Sequence, residues 1–240
     1  MKALIFASGL GTRLRPLTDD KPKTLVQVGG REILGRMLDA LVQNNIEDVV
    51  ITTGHLGEKI KEFVTARYPQ VHATYVNNPD FATTNYIYSL WLARDALAGS
   101  DILSLHADMI FDRTLVGRLL ACGGSAVLVQ EGEHPSPKDF NARVESGLVK
   151  EVRTKITGRG VSFCAPVYKL TGKDCGQWMG AIGQFINEGK TKNYAEDAFN
   201  TMSPQFPLFP VFFTSEELCM EIDDFEDLEK AETLLDTGRA

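Results

Sequence analysis

The stretch KALIFASGLGTRLRPLT, residues 2–18, is followed within a few positions by Pro22-Lys23. From Ala3 to Ala7 it is continuously apolar and then breaks at Ser8-Gly9, the pattern of a buried parallel strand feeding a glycine-rich loop. Gly9 and Gly11 let backbone N–H groups approach an anion, as a phosphate-cradling loop requires. A dinucleotide fingerprint is excluded, because GxGxxG needs glycine where Leu14 stands, and no GxxxxGK[ST] occurs. The segment before the first helical pattern is long, and long ordered loops usually carry function. It also gathers Arg13, Arg15, Lys21 and Lys23, the local charge that a triphosphate needs.

Outward from this loop, strand and helix patterns alternate. Apolar residues recur at three- and four-residue spacing over Ile33 to Ile46, predicting an amphipathic helix, and DVVITT (48–53) follows as a strand. Helices over 58–66, 85–98 and 112–122 alternate with strands over 71–76, 101–107 and 125–130. The alternation predicts an α/β fold, a Rossmann-like, mostly parallel mixed sheet flanked by helices. After Glu131 the rhythm changes: a Pro-bearing loop, a hairpin turning at Ser146-Gly147, a strand over 161–170, and helices over 176–188 and 194–202. Residues 1–240 are therefore expected as one domain, with a nucleotide-binding core (1–130), a smaller α+β acceptor lobe (131–205) and a return to the core with a closing helix (206–240).

Composition narrows the partners. The formal net charge of -7 argues against a phosphate-backbone footprint, so nucleic acid is not expected. Four cysteines without a CxxC pair argue against a zinc ribbon or redox dithiol and read as reduced, cytoplasmic residues. The opening apolar run is too short for a signal peptide, and no long apolar run exists, so neither export nor a membrane is expected. An oligomer is left open.

GxGTRLxPLT followed by PK resembles the N-terminal signature of the nucleotidylyltransferase superfamily, which includes sugar-phosphate nucleotidylyltransferases and small-alcohol-phosphate cytidylyltransferases. The resemblance implies that Ala7, Ser8, Gly9, Gly11 and Thr12 line the nucleotide. It also implies catalytic roles for Arg13, which would hold the β- and γ-phosphates, and Lys23, which would neutralise charge at the reacting phosphates.

Asp108 follows a predicted parallel strand at its C-terminal end, where open α/β sheets bind ligands. Glu221 and Asp223 lie two apart on a strand and hence on one face. Asp108, Asp223 and Glu221 are the candidate ligands of Mg²⁺, which favours one or two carboxylates with phosphate oxygens and water. Asp108 and Asp223 also match the superfamily's metal positions. The same residues fit a turn cap and a solvated acidic cluster, with Asp224 capping the last helix.

NNPDFATTNYIYSL (77–90) reads as a helix start capped by Thr84 or Asn85. It also resembles the N(N/Y)xYSL segment of cytidylyltransferases of the phosphocholine type, which implies CTP and adds Thr84, Asn85 and Ser89 to the nucleotide side. The expected partners are CTP or another nucleoside triphosphate and a small phosphorylated acceptor. For a cationic acceptor head the later segment offers Tyr168, Trp178 and Tyr194, with Glu196 and Asp197 as receivers, although aromatics at such spacing equally build a core. His106, on a buried strand, reads as a core residue. The expected reaction moves CMP from CTP to a phosphorylated or phosphonate acceptor and releases pyrophosphate. The alternatives are a sugar-1-phosphate nucleotidylyltransferase and a non-catalytic nucleotide-binding regulatory module.

Overall fold

The computed structural model describes residues 1–236, so residues 237–240 of the expected return segment lie outside the described residues. Strand β1 (Lys2–Ala7) leads through the long loop to a two-residue hairpin, β2 (Gln27–Val28) and β3 (Arg31–Glu32), and to α1 (Ile33–Gln43). Next come β4 (Asp48–Thr53), α2 (Gly57–Arg67), β5 (His72–Asn77), α3 (Tyr86–Leu97) and β6 (Ile102–His106). These are followed by β7 (Met109–Phe111), α4 (Thr114–Ala121), β8 (Ser125–Gln130), β9 (Phe140–Glu145), β10 (Leu148–Thr154) and β11 (Val161–Leu170). The chain closes through α5 (Gly172–Asn187), α6 (Ala195–Met202), β12 (Leu208–Phe213), β13 (Cys219–Glu221) and α7 (Phe225–Asp236).

The centre is parallel: β1 pairs with β4 on one side and β6 on the other, and β4 pairs with β5. Beyond β6 the sheet turns mixed, because β11 runs antiparallel to both β6 and β8, while β12 runs parallel to β8. β11 lies in the segment expected as the smaller acceptor lobe and is an interior strand of this sheet. β9 and β10 of that segment extend the same sheet beyond β11, and α5 and α6 pack on its face.

The alternation of strand side chains divides the core into two layers. Ala3, Ile5 and Ala7 of β1 face a layer that includes Leu34, Leu38 and Leu41 of α1, Ile60 of α2, Leu115 of α4 and Ala231 of α7. Leu4 faces the opposite layer, formed with Ile87 and Leu97 of α3, Trp178 and Ile182 of α5 and Phe199 of α6. Each layer excludes water from one face of the sheet, so ligand access falls to the strand ends.

Several boundaries follow from local chemistry. The Asn85 side chain accepts the Tyr86 N–H at 2.7 Å and starts α3. The sequence reading begins α5 at Gly176, whereas the helix begins at Gly172, because the Thr171 hydroxyl accepts the Asp174 N–H at 3.2 Å. The short pair β7 and β13, only the second of which is legible in the sequence, fixes the end of the chain against the end of β6. No helix among the described residues is long and apolar enough to cross a membrane.

Candidate active site

Four central parallel strands run in the order β5-β4-β1-β6, and the strand order, not the chain direction, reverses between β1 and β6. Their C-terminal ends form a crevice, the place where open α/β sheets bind ligands. Ser8 and Gly9 leave β1 there, and Ala107 and Asp108 leave β6.

The loop after β1 is held in one conformation. Gly11 has φ of 63°, and a Cβ on it would lie 2.8 Å from the Cβ of Lys23, so a side chain is refused on both counts. The Thr18 hydroxyl donates to the Gly11 carbonyl at 2.8 Å, and the fully buried Leu14 pins the loop to the core. Thr12 and Arg13 form an exposed single turn with Leu14. A second such turn, Lys23–Leu25, aims Lys23 inward.

Lys23 Nζ donates to Asp108 Oδ2 at 2.7 Å and to Asp223 Oδ1 at 2.6 Å. Arg13 Nη2 reaches the other oxygen of Asp223 at 2.9 Å. Pairing of β13 with β7 brings the late carboxylates here, and the Ile222 N–H donates to the Asp108 carbonyl at 2.9 Å. Ile222 is fully buried, which leaves Glu221 and Asp223 sharing one side. Asp224 accepts the Asp227 N–H at 3.0 Å and caps α7.

Charge follows from this packing. Burial opposes ionisation of Asp108, but the adjacent Lys23 ammonium outweighs it and holds the carboxyl below the usual carboxylate range. Burial likewise opposes the charge on Lys23, and Asp108 with Asp223 hold it above its ordinary value. Glu221 has no such cation in contact: burial, reinforced by repulsion from Asp108, pushes its carboxyl well up. Asp108 Oδ1 and Glu221 Oε1 are buried and accept no hydrogen bond among the described residues. Asp108, Glu221 and Asp223 each present an oxygen within 4.8 Å of the others. Orphaned hard-oxygen donors converging in this way fit a small divalent cation such as Mg²⁺.

On the side of the sheet that carries α3, a cleft of about 210 Å³ is lined by Ser8, Gly9, Thr84, Asn85, Ser89 and Asp108. Asn78, Phe81, Tyr86 and His106 also line it. Asn78 is the hub: its amide donates to Ser89 Oγ at 2.9 Å and Thr84 Oγ1 at 3.1 Å, and Ser89 meets Ser8 across the β1 end at 2.9 Å. The sequence reading passes over Asn78, although it follows β5 as Asp108 follows β6 and the same strand-end rule finds it. His106, read as core, is a wall of this cleft, and burial pulls its imidazole down to about 4, so it is neutral at pH 7. Ala7 lines the neighbouring pocket with Lys23.

Behind Tyr86, Phe6 and His106 lies a second, smaller cavity lined by Tyr168, Trp178 and Glu196. Glu196 Oε1 accepts the Tyr168 hydroxyl at 2.8 Å, and Oε2 accepts that of Tyr86. Burial pushes the Glu196 carboxyl up to about 8. Tyr194 is outside, 40% exposed and edge-on to Phe140 at 5.0 Å. Asp197 does not reach the cavity. Successive helical residues diverge by about 100°, and its carboxylate instead accepts the Asn193 amide at 2.9 Å and the Tyr194 N–H at 3.2 Å at the start of α6. Trp178 also packs on Phe199 and Phe206 and donates its N–H to the Ala195 carbonyl at 2.8 Å, so its ring belongs largely to the core.

A phosphate-type loop at a sheet switch point, with a lysine and three carboxylates converging on it, defines a nucleotidyltransferase-type domain. The chain belongs to the MobA-like NTP transferase domain family, whose profile matches residues 3–236. It is 37% identical over 121 residues to a CMP-5'-(3-aminopropyl)phosphonate synthase of Streptomyces rubellomurinus, covering 50% of this chain and 19% of that protein. It is 38% identical over 103 residues to a choline-phosphate cytidylyltransferase of Streptococcus pneumoniae, covering 43% of each. The chain thus spans less than half the length of these relatives. The solved structure of the CTP:phosphocholine cytidylyltransferase from Streptococcus pneumoniae shares the fold, with a TM-score of 0.79, 23% identity and 98% of both chains covered.

Proposed function

We propose that this protein transfers CMP from CTP to a small phosphorylated or phosphonate acceptor with an amine-derived head, releasing pyrophosphate with Mg²⁺ as cofactor. The observation that carries the reading is the contact of Lys23 with both Asp108 and Asp223 at the phosphate loop. A regulatory module that merely bound a nucleotide has no need of a lysine buried against carboxylates at that point. The similarity to a CMP-aminopropylphosphonate synthase and to a choline-phosphate cytidylyltransferase supports CTP and such acceptors.

The chemistry needs no protein nucleophile. An acceptor oxygen, already anionic near neutral pH, attacks the α-phosphorus; a new P–O bond forms as the α–β bridging bond breaks and pyrophosphate takes the electron pair. The nucleotide lies along the cleft, with Ser8, Gly9, Thr84, Asn85 and Ser89 at the nucleoside and Gly11, Thr12 and Arg13 at the phosphates. Lys23 exchanges its carboxylate partners for phosphate oxygens and stabilises the charge that grows on the leaving group. Asp108, Glu221 and Asp223 would hold Mg²⁺, which when bound supplies charge neutralisation at the phosphate oxygens. The acceptor enters from the segment 131–205 with its head toward Glu196. The four free cysteines suit a reducing cytoplasm.

The test is one panel of pyrophosphate release with Mg²⁺. Four nucleoside triphosphates are crossed with phosphocholine, phosphoethanolamine, 2-aminoethylphosphonate and several sugar 1-phosphates. CTP with an amine-bearing acceptor is expected to give the highest kcat/KM. A uridine or thymidine nucleotide with a sugar 1-phosphate at the top overturns the substrate assignment, and no release from any pair overturns the reaction.

A further inference from the structure

The cavity behind Tyr86 carries a chemistry that phosphoryl chemistry itself does not use. Glu196 is 1% exposed, and each of its oxygens already has one tyrosine donor. No lysine or arginine lines the cavity; besides Glu196 its polar side chains are Tyr86, Tyr168, Ser104, His106, Cys175 and Trp178, the last with its N–H already given to the Ala195 carbonyl. The void is about 20 Å³, room for a single group the size of water. It shares Phe6, Tyr86 and His106 with the cleft that reaches Asp108, so the two voids adjoin across these three side chains.

We infer that this cavity is the acceptor's head-group site and that it selects a primary ammonium over a quaternary one; the inference rests on the reaction proposed above. A primary ammonium is close to water in size and carries three N–H donors. An ammonium seated beside Glu196 offsets the burial that keeps its carboxyl protonated and favours the ionised form; each carboxylate oxygen then keeps a lone pair beyond its tyrosine bond, and both phenol oxygens and Ser104 accept as well. A quaternary ammonium brings three more methyl groups and no donor, leaving the carboxylate desolvated without a hydrogen bond.

Quaternary heads are ordinarily held by open aromatic faces. Here the rings are occupied with one another. Tyr168 stands edge-on to Trp178 at 5.3 Å, and Tyr86 stands edge-on to His106 at 4.4 Å. Making room for three methyls would push Tyr168 and Trp178 into the Phe199 and Phe206 cluster, a packed core that resists added volume. One relative is a synthase of a CMP-aminopropylphosphonate and another a choline-phosphate cytidylyltransferase, so ancestry leaves the choice open. The size and donor demand of the cavity decide it.

The experiment is a methylation series at saturating CTP and Mg²⁺: phosphoethanolamine, its N-methyl and N,N-dimethyl derivatives, and phosphocholine, followed by pyrophosphate release. kcat/KM is expected to fall at each step, by about tenfold or more across the series, with the change mainly in KM. Tyr168→Phe keeps the ring and removes one hydroxyl, and should shrink the discrimination; Glu196→Gln should shrink it further. The wild-type series decides even where a variant folds poorly. Equal or better use of phosphocholine overturns the inference while the reaction stands, whereas no turnover of any member overturns both.

Discussion

Lys23 Nζ lies 2.6 Å from Asp223 Oδ1, although 200 positions separate the two residues in the chain. The contact joins the first loop of the sheet to the segment before the last helix, so the site exists only once the whole domain has closed. Lys23 is 16% and Asp223 12% exposed at the side chain, so this pair is shielded from solvent in a way that surface pairs are not.

Lys23→Ala should lower kcat by about 100-fold or more, since it removes a cation aimed at developing phosphate charge. It also leaves Asp108, Asp223 and Glu221 facing one another with Arg13 as their remaining cation partner, so the metal-free variant should melt lower than wild type. Added Mg²⁺ should restore part of that loss. Pyrophosphate release and thermal melts with and without the ion check both parts. Near-wild-type turnover removes Lys23 from the chemistry.

Much of this was legible in the sequence where a local rule applies. The period of apolar residues gave α1, β4, β8 and β11, and the strand-end rule found Asp108. The Glu221-Ile222-Asp223 alternation found a shared face. The remainder depends on long-range packing. β7 is three residues long and exists because β13 pairs with it. Asp197 looks like a partner for Glu196 in one dimension, but helical rotation and the Asn193 amide take it elsewhere. Tyr86 shows its role only when α6 brings Glu196 to it, 110 positions away.

Asp108→Asn and Asp223→Asn should each abolish magnesium-dependent turnover, and the double variant should be little worse than either one. Groups that hold one ion are lost together, so their effects do not add. Pyrophosphate release over a magnesium titration supplies the cycle. Losses that multiply would mean that the two carboxylates act on separate steps.

Gly54 follows β4, and a Cβ there would lie 2.6 Å from the Ser8 carbonyl oxygen and 2.7 Å from the Phe81 Cβ. Ser8 and Phe81 are both walls of the cleft proposed to take the nucleotide. Gly54→Ala should therefore raise KM for CTP by about tenfold at a stability cost of roughly 1–3 kcal/mol. Gly176→Ala is the control: it sits inside α5 with open space around it and should gain about 0.5–1 kcal/mol without changing KM. An unchanged KM in Gly54→Ala would place the nucleotide elsewhere.

Glu196 should leave a mark on stability against pH. Its carboxyl ordinarily titrates near 4.5, and burial raises it to about 8 in the folded protein. Between those values the native state keeps a proton that the unfolded chain has released, so stability falls as pH rises, at on the order of 1 kcal/mol per unit, and levels off above the folded value. His106, in the same cavity wall, acts with the opposite sign. Its folded value is about 4 against an ordinary 6.5, so its contribution is lost as pH falls below 6.5. The two oppose each other at acid pH, and above about 6.5 the Glu196 effect stands clear of His106. Burial holds the Tyr168 hydroxyl protonated well beyond this window, and the difference from Glu196→Gln removes groups common to both proteins. Wild type should lose a few degrees of Tm relative to Glu196→Gln between pH 6.5 and 8, with no further relative change above about 8.5. Parallel melting curves for the two proteins would mean that Glu196 is already ionised in the fold, and that the cavity holds a standing negative charge before any acceptor arrives.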